Sequence, residues 1–223
     1  NILTIFPEMF PGTLSGGVVG RALDKKIWSY DTINIRDFAI NSYGSVDDTQ
    51  FGGGAGMVMR PDALGDAIDS IKNRGKIIYF SPRGATLNQK MVREFVSNPD
   101  AVYTLLCGRY EGIDERIIQE YDIMELSIGD YILSGGEIPA QVFVDSCVRL
   151  LDNVVHGGDD TTQNESFEIG GLEWPLYTRP SVWRGRSVPE VLLSGHHGNI
   201  ERWRKQQSVD ITKERRPDLI KEN

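Results

Sequence analysis

The sequence predicts an α/β fold, a mostly parallel sheet flanked by helices, with a small helical domain added at the C-terminus. Three observations lead there. Along residues 1–150, short apolar runs alternate with segments whose apolar residues recur every three or four positions, the pattern of strands alternating with helices around a parallel sheet. Two of these runs, 101–106 and 123–126, end in glycine turns at the place where an open α/β sheet forms its ligand crevice. Residues 153–170 then lose nearly all apolar content and read as a flexible linker, beyond which the charge balance changes.

Taken in order, residues 2–6 and 33–37 read as strands joined through a helix that ends before Tyr30. Residues 41–58, rich in Gly, Ser and Asp, cannot hold a packed element and predict a long functional loop. Pro61 opens a helix with Ala63, Leu64, Ala67, Ile68 and Ile71 on one stripe. Residues 77–80 form a buried strand, and Leu87, Met91, Val92 and Phe95 are the stripe of the next helix. Strands 101–106 and 123–126 bracket a helix over 114–121. Pro139 lies in the first turn of a helix reaching about Asp152, with Ala140, Phe143, Val144, Cys147, Leu150 and Leu151 inward.

The division is therefore a body over 1–155, a linker over 156–171 and a helical domain over 172–223. In that last domain Asn199 caps a helix containing Ile200, Trp203 and Gln207, and a final helix spans 209–221. About fifty residues bury little core, so this domain should lean on the body or on a partner subunit.

Bulk properties narrow the classes. The two cysteines, Cys107 and Cys147, make no disulfide framework and predict a reduced, cytoplasmic setting. No segment approaches the apolar length of a membrane helix, and no leader pattern opens the chain, although its first residue is not Met and a residue or more is expected to precede it. The net charge is −8, which alone argues against nucleic acid. Its distribution matters more. Residues 1–171 carry 14 Lys and Arg against 25 Asp and Glu, whereas 172–223 carry 10 against 7. The basic tail either supplies phosphate contacts or is simply a solvated charged surface.

Several chemistries are excluded by motif. No G-x-G-x-x-G follows a strand, the 52–56 glycines lack the Lys-Ser/Thr of a P-loop, and no G-x-S-x-G elbow occurs. Only three histidines exist, and no C-x-x-C pairs them with thiolates, so no metal centre is predicted. The adjacent His196 and His197 read either as helix-entry residues or as phosphate contacts.

The two glycine turns, Cys107-Gly108-Arg109-Tyr110-Glu111-Gly112-Ile113-Asp114 and Ser127-Ile128-Gly129-Asp130-Tyr131-Ile132-Leu133-Ser134-Gly135-Gly136-Glu137, resemble the bacterial tRNA (guanine-N1)-methyltransferases, the TrmD family of the SPOUT class. The resemblance spans nearly the whole chain. It includes Phe6-Pro7-Glu8-Met9-Phe10, Val46-Asp47-Asp48, Phe51-Gly52-Gly53-Gly54-Ala55-Gly56-Met57, Ser81-Pro82-Arg83-Gly84, Tyr177-Thr178-Arg179-Pro180 and Leu193-Ser194-Gly195-His196-His197.

That resemblance implies methylation of N1 of the guanosine immediately 3′ of the tRNA anticodon, with S-adenosylmethionine as donor and help from magnesium. It implies a homodimer and a deep trefoil knot threaded by segments 81–84, 108–112 and 127–136. Around the donor it implies Ser81, Pro82, Gly108, Tyr110, Glu111, Ser127, Ile128, Gly129, Asp130, Tyr131, Ile132, Leu133, Gly135, Gly136 and Pro139. For Ile128, Ile132 and Leu133 ordinary core packing is the alternative reading. On RNA it implies Asp47, Gly54, Arg179, His196 and Arg215.

Stripping the N1 proton leaves negative charge spreading onto O6, so the chemistry needs a carboxylate near N1 and a cation near O6. The matching motifs carry these roles onto Glu165 and Arg149. Without the resemblance, Glu165 would be a solvated charge in a polar linker, and Arg149 would form a surface pair with Asp145 one turn earlier. The chain departs from the family at Glu165, where aspartate is usual, at Leu176, where His is common, and at Ile169, where an acid is common. Two rival readings are a SPOUT methyltransferase of another RNA site and a non-catalytic, adenosylmethionine-sensing RNA-binding protein.

Overall fold

The computed structural model describes residues 1–155 and 162–220. It divides into two compact units, Asn1–His156 and Gly157–Asn223. The first is built on a five-stranded sheet in the order β2-β1-β6-β5-β7, and every pairing in it is parallel. Its strands are β1 (Ile2–Thr4), β2 (Thr32–Asn34), β5 (Lys76–Thr86), β6 (Tyr103–Leu106) and β7 (Met124–Ser127).

Alternation along these strands decides which helix covers which face. Leu3, Ile77, Tyr79 and Leu106 point into one core with Ala63, Leu64, Ala67 and Ile68 of α2 (Pro61–Asp69) and Ile117 of α4 (Glu115–Glu120). Ile2, Ile78, Phe80, Leu105 and Leu126 point the other way. They meet Phe95 of α3 (Gln89–Val96) and Ala140 and Phe143 of α5 (Glu137–Val148). The Phe95, Tyr103 and Phe143 rings pack edge to face there. A third cluster seats Val19 and Ala22 of α1 (Gly17–Asp24) on Val148 and Val154. Asn88 and Asp114 cap α3 and α4 through their side-chain oxygens.

Three expectations need correction. The segment 41–58 is not all loop: β3 (Asp47–Thr49) and β4 (Met57–Met59) pair antiparallel, with Val46 and Met59 fully buried. The hairpin holds because its backbone is hydrogen-bonded onto the turn after β6, Glu111 N–H to Met57 O and Met59 N–H to Gly112 O, both 2.9 Å. Second, β5 runs well past Phe80. Its register to β7 shifts so that Phe80 and Ala85 both face Leu126, and 81–84 loops out and returns. Third, α5 ends at Val148, so Leu150 and Leu151 lie beyond it.

The second unit differs more. Its helices are α6 (Glu190–Leu193) and a single nineteen-residue α7 (His197–Arg215), where two helices were expected; no Pro or Gly interrupts 199–216, and Pro217 follows. His196, not Asn199, occupies the N-cap position of α7. The unit is also not wholly helical: β8 (Val182–Trp183) and β9 (Arg186–Ser187) form a hairpin. Residues 162–171, read as flexible linker, are hydrogen-bonded into this unit through Phe167 N–H to Gly171 O and Glu173 N–H to Ser166 Oγ. Residues 156–161 of that linker lie outside the described residues. Among the described residues of the unit no apolar side chain is fully buried; its buried side chains are Thr162 and, on α7, Ser208 and Thr212, the latter two bonded to the backbone of Leu172. No helix among the described residues is long and apolar enough to cross a membrane.

Candidate active site

Where β6 and β7 end and β5 loops out after Phe80, the chain encloses a cavity of about 320 Å³. Segments 81–82, 108–112, 126–129 and 131–136 line it, together with Tyr79, Phe80 and Pro139. Every residue carried over for the donor lines this cavity except Asp130, which is exposed and turned to solvent between Gly129 and Tyr131.

The loops meet through close backbone approach. Gly136 N–H donates to Gly108 O at 2.9 Å, and a Cβ on Gly136 would lie 2.7 Å from the Cys107 Cα. Only glycine fits at that crossing. Loop 127–129 is closed on itself by the Ser127 hydroxyl, which contacts both the amide and the carbonyl of Gly129. The Tyr131 hydroxyl donates to Ile128 O at 3.1 Å. Backbone amides and carbonyls held in place among apolar side chains suit a flat, hydrogen-bonding ligand, and the volume lies in the small-molecule range.

Beneath the cavity lies a buried charge pair that carried no role in the sequence. Arg109 Nη2 lies 2.8 Å from Glu137 Oε2, with side chains 17% and 1% exposed. The approach is not aligned as a hydrogen bond, so the attraction is that of an ion pair. The Thr4 hydroxyl donates to the other carboxylate oxygen at 2.7 Å, and Arg109 Nη1 donates to Ser134 O at 3.1 Å. The guanidinium also lies 4.5 Å over the Phe6 ring. Thus β1, the turn after β6 and the start of α5 are tied at one point. Tyr79 is a second lining residue without an expected role. Both Arg109 and Glu137 stand in the two glycine motifs, but nothing local in the sequence pairs them.

Asp47 reaches the same neighbourhood. It lies half-buried on β3, and Tyr110, a cavity residue, is held in the left-handed region at φ 59°. Burial first, then a hydrogen bond to Asp47 and that carboxylate's charge, hold the Tyr110 phenol above its usual range, while Arg36 pulls the other way. The backbone bonds that pin the hairpin therefore also set Asp47 at the cavity's edge. Gly54 stands exposed at the hairpin's tip.

Arg149 directly follows α5, is half-buried and does not line the cavity. Glu165, Arg179, His196 and Arg215 all belong to the second unit: Glu165 is half-buried, and the other three are exposed. His196 lies at the N-terminus of α7 and Arg215 in its last turn. Among the described residues no three His, Cys, Asp or Glu side chains cluster to hold a metal ion.

Over residues 1–222 the sequence matches the profile of the family described as tRNA (Guanine-1)-methyltransferase TrmD. Curated relatives named tRNA (guanine-N(1)-)-methyltransferase agree. That of Rickettsia akari is 54% identical over 230 aligned positions, covering 100% of this chain and 97% of the relative. The Rickettsia prowazekii protein is 53% identical with the same coverage, and that of Wolbachia pipientis wMel is 55% identical over 99% of this chain and 94% of its own length.

Proposed function

Because the chain belongs to the TrmD family of tRNA (guanine-1)-methyltransferases, we propose that it methylates N1 of the guanosine immediately 3′ of the anticodon in tRNA, with S-adenosylmethionine as donor. The observation that carries this reading is the cavity at the carboxyl ends of β6 and β7 and the loop-out of β5, built from the very loops the resemblance singles out. The residues fit such a donor. Adenine and ribose would lie among the backbone groups of Gly108, Ile128, Tyr131 and Leu133, with Glu111, Gly135 and Gly136 beside them, and glycine is required where a Cβ would strike neighbouring atoms.

When bound, the donor supplies a methyl group activated on a sulfonium. The protein must orient the guanine and remove one proton. Asp47, held against Tyr110, hydrogen-bonds the base edge. The Glu165 carboxylate takes the proton from N1; the freed electron pair would bond the methyl carbon as its bond to sulfur breaks, that pair staying with the sulfur as a neutral thioether. Negative charge that gathers on O6 during proton removal is offset by the Arg149 guanidinium. Arg179, His196 and Arg215 meet the RNA backbone. Magnesium, which the resemblance implies as a help to the reaction, is given no side-chain ligand in this scheme.

The active form in this reading is a homodimer. Tyr131, Ile132, Leu133, Ile138 and Val142, beside the cavity and along α5, expose apolar surface that a second copy would cover. In this reading the loops thread as a trefoil knot, which the tight packing of Gly136 on Cys107 and Gly108 supports. The two unpaired cysteines fit a reducing, cytoplasmic setting. A single-turnover assay with labelled donor, run on tRNA transcripts with the target guanosine intact or replaced, tests the whole reading. Label should enter only the intact transcript, and transfer to both would refute the assigned position.

A further inference from the structure

We propose that the β8–β9 hairpin of the second unit is an additional RNA-contacting arm, with Trp183 stacking on an unpaired base and Arg184 and Arg186 taking phosphates. The inference rests on the reading of tRNA as substrate and adds a contact outside the residues carried over from the family.

The hairpin has two residues per strand, Val182 opposite Ser187 and Trp183 opposite Arg186. Its two-residue turn puts Arg184 and Gly185 in the left-handed region, at φ 50° and 76°. Asn or Gly is the comfortable first residue of such a turn, so an arginine there is held against conformational preference. A ribbon this short is not stabilised by its own pairing. Nor does it cover a core: every residue from 176 to 187 is exposed, Trp183 at 58% and Val182 at 55%. At that exposure most of the Trp183 surface stays open to solvent.

Charge points to the occupant. Between Glu173 and Glu190 the chain carries Arg179, Arg184 and Arg186 and no carboxylate. None of the three forms an ion pair among the described residues. The Arg184 guanidinium lies 4.8 Å over the Trp183 ring, so one face carries an aromatic plane with a cation on it. At the hairpin's foot, closed by Val188 N–H to Ser181 O at 2.9 Å, Tyr177, Arg179, Trp203 and Arg204 line a cleft of about 340 Å³ and continue the same chemistry. Exposed aromatic planes interleaved with unpaired arginines match the stacked bases and phosphates of single-stranded RNA, such as an anticodon loop.

The test uses the full chain. Arg184→Asn, which tolerates the left-handed turn, is combined with Arg186→Gln, and tRNA affinity is measured across a potassium chloride series. Loss of two phosphate contacts should reduce the slope of log affinity against log salt by about 1.4 to 1.8. Trp183→Ala should weaken tRNA binding by about tenfold with the slope kept, and Trp183→Phe should restore most of it, because the ring carries the stacking. Donor affinity by calorimetry should match wild type in every variant. If wild type methylates tRNA and the variants keep its slope and affinity, the hairpin proposal alone is overturned. If wild type neither binds nor methylates tRNA, the functional reading falls, and the hairpin proposal with it.

Discussion

Replacing Glu137 with Gln removes one charge from the most buried ionic contact in the first unit. The carboxylate is fully buried, with Thr4 Oγ1 at 2.7 Å on one oxygen and Arg109 Nη2 at 2.8 Å from the other. Breaking a buried pair by neutralising one partner typically costs about 3–5 kcal/mol, because the surviving charge stays out of water. Two features place this case near the lower end. Arg109 keeps its bond to Ser134 O and the face of the Phe6 ring, and its side chain is 17% exposed and so partly hydrated. The expected loss is therefore about 3 kcal/mol. Urea denaturation followed by circular dichroism should show a lower midpoint with little change in slope. Donor affinity should fall as well, since the pair ties the turn after β6 to Ser134 and the start of α5, and both border the cavity. Arg109→Met combined with Glu137→Gln should recover part of the lost stability, since no unpaired charge remains. A Glu137→Gln protein within about 0.5 kcal/mol of wild type would refute the reasoning, since surface changes fall in that range.

Other consequences can be measured separately. Gly108→Val should abolish donor binding in calorimetry, because even a Cβ there would lie 2.6 Å from the Tyr79 ring, at the cavity wall; unchanged affinity in a folded variant would remove the cavity from the mechanism. Glu165→Gln keeps shape but not the proton-accepting charge and should slow single-turnover methylation by about 10²–10⁴-fold, with Glu165→Asp retaining substantial activity; a near wild-type Gln variant would assign the proton to another group. Burial pushes the Cys147 thiol up to about 12 and the fully buried Cys107 well above its usual range, so alkylation at pH 8 should be far slower than for a free thiol. Its sign follows from the raised values: thiols of the unfolded chain ionise near pH 9 while the folded ones do not, so stability should fall as pH rises above 9. Fast labelling at both positions in the native protein would contradict that burial.

Element by element, the sequence was most legible where periodicity is local. Ile77 to Phe80 alternate between two cores as a parallel strand requires, and Ala63, Leu64, Ala67 and Ile68 share one helical stripe. It was least legible where nonlocal hydrogen bonds decide the outcome. Asp47 and Asp48 have poor strand propensity, and their hairpin exists because Met57 and Met59 bond to the turn at 111–112. Helix α7 carries no strong apolar stripe. Its inward groups are Ser208 and Thr212, whose hydroxyls meet Leu172 some forty positions earlier, so a periodicity argument had nothing to follow there.

By itself the sequence determined the alternation of strands and helices, the glycine turns that can bend into a pocket, and the family to which the residues belong. Only the tertiary structure decided the strand order, with β6 inserted between β1 and β5, and the pairing of Arg109 with Glu137 over the Thr4 hydroxyl. The physical reason is the range of the forces. Side-chain periodicity is fixed within a few residues by backbone geometry, whereas a buried charge accepts whatever partner the topology delivers, and Thr4 and Glu137 are 133 residues apart in the chain.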